Sequence, residues 1–113
     1  MKIEDVNRED VNRAFKAASS QAEVVFDARN AARDAARKLA EMERDEIAKA
    51  SEYGAPPDKL QRIVAEKTAT ARAEAEEATT LADYEGHRLQ LLHYELDRIK
   101  TIIELMRCKD GDA

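Results

Sequence analysis

The chain has 113 residues, of which 38% are charged, with a net charge of −5, two prolines and three glycines. That length sets one domain, and the acidic balance disfavours a dedicated nucleic-acid binder, which carries a basic face. Apolar residues make up 43%, yet 21 residues are alanine and none is tryptophan. Burying alanine removes little area from water at about 25 cal/mol per Å², and an Ala-, Glu-, Lys-, Leu- and Arg-rich chain with helical spacing reads as long helices or coiled coil.

At the N-terminus, Met1-Lys2-Ile3-Glu4-Asp5 has no apolar signal-peptide core, and Ile3 and Val6 are available to pack. A first helix is expected over about 8–52, starting after Asn7 with Asp10 as acidic support in its first turn. Residues 8–52 contain no Gly or Pro, and Tyr53-Gly54-Ala55-Pro56-Pro57-Asp58 breaks the pattern. Gly54 suits the left-handed residue past a helix end, and Pro57 suits the first turn of the next helix. The turn is therefore placed at 53–57, the second helix at about 57–108 and a frayed tail at 109–113. So short a turn makes the two helices antiparallel, with paired positions summing to about 110. The expected fold class is all-α, a long antiparallel two-helix hairpin forming a single domain over 1–113.

The second helix carries a 4,3 apolar repeat: Ala71, Ala75, Ala78, Ala82, Glu85, Leu89, Leu92, Leu96, Ile99, Ile103 and Met106. Only Glu85 is not apolar. This is a coiled-coil seam. The half near the turn is lined by alanines, and the far half by Val11, Phe15, Val24, Val25 and Phe26 facing Leu and Ile. A second stripe, Leu81, Tyr84, Leu91, Ile102 and Leu105, lies outside the seam. One partner helix needs only the narrow stripe, so the wider face implies further neighbours. Self-association as a dimeric four-helix bundle follows, through Phe15, Phe26, Tyr84, Leu91, Leu92, Leu96, Ile99, Ile102, Ile103, Leu105 and Met106. The other way to cover the second stripe is for residues 1–7 to fold back over it.

Catalytic chemistry finds no support. His87 and His93 are six residues apart and fall on different helix faces. Asp83–His87 and His93–Asp97 have the spacing of surface pairs. There is no phosphate loop or nucleophile elbow. Cys108 lacks a catalytic partner and cannot form an internal disulfide, so the fold does not depend on an oxidising compartment. No enzyme activity, cofactor or metal is expected. Arg29, Arg33 and Arg37 form an i, i+4, i+8 row that could follow a phosphate backbone, or could pair with Glu74, Glu76 and Glu77 across the hairpin. No aromatics interleave for base stacking. Gly86 leaves room for Phe26 or a neighbouring subunit, or forms a docking notch.

The Ala/Arg/Glu-rich first helix, the Gly54-Ala55-Pro56-Pro57 turn, and Leu91-Leu92-His93-Tyr94-Glu95-Leu96 through Leu105-Met106-Arg107 together give a layout that resembles small helical-hairpin accessory proteins of tailed phages and prophages. That resemblance implies a binding or interference protein acting on a host or phage component. The expected function is a non-enzymatic, cytoplasmic interaction or adaptor module whose partners are itself and another protein, with no membrane and no nucleic acid. The alternatives are an inhibitor of a host nucleic-acid-processing machine, which presents helix-borne acids, and a nucleic-acid accessory protein using the arginine row.

Overall fold

The computed structural model describes residues 8–111, with side chains through Cys108. These residues are helical apart from short connections: α1 is Arg8–Glu52, α2 is Pro57–Lys67 and α3 is Ala69–Gly111. Among the described residues there is no strand. Packing of residues 1–7 over the second stripe lies outside the described residues. So does the end of the expected frayed tail, although the α3 backbone continues past residue 108 to Gly111.

α1 ends in a left-handed cap. The Gly54 amide donates to Ser51 O at 3.1 Å, and the Ala55 amide donates to Ala50 O at 3.1 Å. These are the paired 5→2 and 6→1 bonds that satisfy the last free carbonyls of a helix. They require Gly54 at φ +69°. Pro56 then stands extended at the start of α2 with φ −60° and ψ 150°. Its carbonyl accepts the first bond of the new helix, from the Leu60 amide at 2.9 Å. Pro57 costs that first turn nothing, because its missing N–H would have no partner within the helix. Gly54→Ala meets no atom within 4 Å of the added Cβ, so its cost is that of the backbone conformation alone. It is expected to destabilise the protein by about 1–2 kcal/mol, read as a lower midpoint in urea unfolding with an unchanged m-value.

The second helix of the sequence reading is divided at Thr68. Its φ of −106° and ψ of 6° leave the helical region, yet its amide still donates to Val64 O at 3.0 Å and its carbonyl accepts from the Arg72 amide at 2.9 Å. The Thr68 hydroxyl also donates to Val64 O, at 2.7 Å. A hydroxyl bonded back to the carbonyl four residues earlier competes for that acceptor and bends a helix. The spacing of the buried side changes one turn earlier: Leu60, Val64 and Thr68 recur every four residues, and the 4,3 alternation runs from Val64 through Thr68 and Ala71. α1 has a matching irregularity, with inward positions at Ala35, Leu39 and Glu43. An extra four-residue step of this kind locally unwinds a 3.5-residue seam.

The contacts group the chain into two compact units. One contains α1 through Phe26 together with α3 from Tyr84; the other spans Asp27–Asp83. The core of the Asp27–Asp83 unit is small: Ala28, Ala50, Ala75 and Ala82, with Val64 and the fully buried Thr68. Glu43 and Arg72 form its cross-helix ion pair at 3.3 Å. In the other unit, Ala18 and Val25 of α1 and Leu96 and Ile99 of α3 are buried. There the buried core includes Leu and Ile, where the buried apolar residues of the Asp27–Asp83 unit are alanines and Val64, and it is correspondingly more sensitive to truncation.

Candidate interaction surface

The residues expected to form one interface divide into two groups. Leu96 is 8% exposed and Ile99 is 3% exposed. They are core residues within a single chain, beside half-buried Leu92, Ile103 and Met106. This inner row is the 4,3 seam itself, and Glu85 occupies its place in it as a buried residue. By contrast Tyr84 (58%), Leu91 (52%) and Leu105 (57%) are exposed, as are Phe15 and Phe26 on α1. Ile102 is half-buried. Two stripes were pooled in the sequence reading because both are apolar; burial separates them.

The outer row on α3 has a simple geometric origin. Tyr84, Leu91, Ile102 and Leu105 each immediately precede an inner-row residue, and one residue step turns a helix by about 100°. They therefore sit on the flank of the seam. Arg88, Glu95 and Arg98 occupy the remaining places in that row, also each one residue before the seam. Glu95 and Arg98 are paired at 2.7 Å, and Arg88 reaches Glu85 at 3.6 Å. Hydrogen bonding and charge from Glu95 raise the Arg98 guanidinium further above its already high ordinary pKa, so it is a permanent cation. The outer row is thus an apolar strip with three charges near its middle.

Beneath the N-terminal end of that strip is a buried polar contact. The Gln21 amide donates to Glu85 O at 2.9 Å and to the Glu85 carboxylate at 2.5 Å. Gln21 and Glu85 are both buried. The fold-back estimate would set Gln21 opposite about residue 89, one helical turn away. The available sign was that Gln21 is the one polar residue in the α1 row Val11, Ala14, Ala18, Gln21, Val25 and Ala28.

The other candidates lie at the surface. Arg29, Arg33 and Arg37 are exposed. Arg37 pairs locally with Asp34 at 3.3 Å, and among the described residues none of the three is paired with Glu74, Glu76 or Glu77. Nor does either histidine form the expected pair with Asp83 or Asp97. Exposed pairs of this kind gain little in water and cost side-chain entropy. Cys108 is exposed. Among the described residues no group of three or more His, Cys, Asp or Glu could hold a metal ion, and no helix is long and apolar enough to cross a membrane. The Asp27–Asp83 unit has two open grooves. One is lined by Leu39, Arg72, Ala75, Glu76, Thr79 and Thr80, and the other lies beside Ile47, Leu60 and Val64.

No protein-family model, curated protein or solved structure matches the chain.

Proposed function

We propose that this protein is a non-enzymatic interaction module that works by protein–protein contact and associates with itself through the outer row of α3. The observation that carries this reading is the exposure of Tyr84, Leu91 and Leu105 beside a seam that is already filled. Fully burying side chains of this size is worth about 1.5–3 kcal/mol each. In a dimer they would be buried twice, by two-fold symmetry. Two copies would each contribute the α1 and α3 segments of this unit, making a four-helix bundle. The remaining surface, including Phe15 and Phe26, is left for a second protein, in keeping with the resemblance to phage accessory proteins.

Leu91→Glu tests this reading. It places a charge at the centre of the proposed contact without touching the inner row. Association is expected to weaken about a hundredfold, because like charges brought together at an interface cost several kcal/mol. Helicity should be retained. Unchanged association, measured by sedimentation, would remove the outer row from the interface.

A further inference from the structure

The order of charges along the outer row restricts how a second copy would lie on it. Resting on the self-association proposed above, we infer that α3 packs antiparallel against the partner's α3 about a two-fold axis near Leu91. In that register each place in the row faces the place the same number of steps along the row on the other side of Leu91. Leu91 meets the partner's Leu91. Arg88 meets the partner's Glu95. Tyr84 meets the partner's Arg98, whose guanidinium can lie over the ring. Each exposed cation is then opposite an anion or an aromatic face.

The intrachain pairs support this arrangement. Arg88 is 3.6 Å from Glu85, and Glu95 is 2.7 Å from Arg98. Joining Arg88 to the partner's Glu95 links the two pairs into a chain of alternating sign, Glu–Arg–Glu–Arg, and the two-fold axis repeats it. Three other arrangements fail on charge. A parallel contact sets Arg88, Glu95 and Arg98 each against its own copy. Sliding the antiparallel contact by half a turn sets Arg88 against the partner's Arg98. Sliding it by about one turn sets Glu95 against the partner's Glu95. Like-charge juxtaposition suppresses those three alternatives.

Disulfide capture distinguishes the register from the association. In a Cys108→Ser background, which removes the exposed native thiol, Leu91→Cys and Leu105→Cys are oxidised separately under mild conditions. Sedimentation of the reduced proteins is run alongside. At the two-fold axis, Leu91→Cys is expected to form the covalent dimer. In the same register residue 105 is about 40 Å from its own copy, so Leu105→Cys should crosslink at least about tenfold more slowly, as for thiols that cannot meet within the complex. Comparable crosslinking at both positions would indicate a parallel contact and overturn the register while leaving the association standing. A dimeric mass without crosslinking at Leu91→Cys would do the same. A monomeric mass would overturn both.

Discussion

Ile99→Ala is expected to lower the unfolding free energy by about 3 kcal/mol, within the range for truncating a large buried aliphatic side chain. Ile99 is the most buried large side chain of α3, at 3% exposure. The other buried apolar residues of its unit are Leu96, Val25 and Ala18. The paired measurement is Leu91→Ala, eight residues away in the outer row. In the isolated chain that change should cost less than about 0.5 kcal/mol, as surface substitutions do. Urea unfolding below the association range separates the two. Equal losses would mean that the inner and outer rows are not distinct. The same reasoning makes Leu96→Glu a folding variant: it puts a carboxylate into the core of a single chain, so a fall in its mass would not identify an interface.

The second large effect concerns Gln21. Gln21→Leu removes both donors to Glu85 and leaves a buried carboxylate with only Arg88 nearby, at 3.6 Å. The expected loss is about 3 kcal/mol, as for breaking one side of a buried charged contact. Glu85→Leu added to Gln21→Leu is expected to recover that loss or exceed it, because well-packed apolar replacements of buried polar groups are neutral or stabilising by about 1–4 kcal/mol. The pair contributes alignment: a Gln21 amide that must meet Glu85 rejects a slip of one turn, whereas Leu against Leu does not. Thermal unfolding of the single and double variants gives the coupling energy directly. Additive losses would show that the two side chains do not act as a unit.

Much of the fold was legible because helical spacing reports burial directly. Every position of the seam from Ala71 to Met106 is buried or half-buried, Glu85 included. The turn was legible because Gly54 and the two prolines have few other uses. Thr68 was missed because threonine reads as an ordinary helix residue. Its hydroxyl bond to Val64 and its complete burial are features of the folded chain that the residue type alone does not announce. The cross-helix ion pairs were misplaced for a related reason. Long exposed side chains choose partners by local rotamer freedom, and in water an i, i+3 partner such as Asp34 serves Arg37 as well as a distant glutamate. The candidate surface was half legible. The two stripes were distinct in the sequence, but both entered the expected interface, and only burial shows that Leu96 and Ile99 of the inner row are core while Tyr84, Leu91 and Leu105 stay exposed.

The central claim is that the outer row of α3 is covered by a second copy of the chain. Sedimentation equilibrium of the unaltered protein in the micromolar range tests it most directly. The account predicts a mass twice the 12.7 kDa of the chain, reverting to the single-chain mass in Leu91→Glu. A mass of 12.7 kDa at every concentration for the unaltered protein would contradict it.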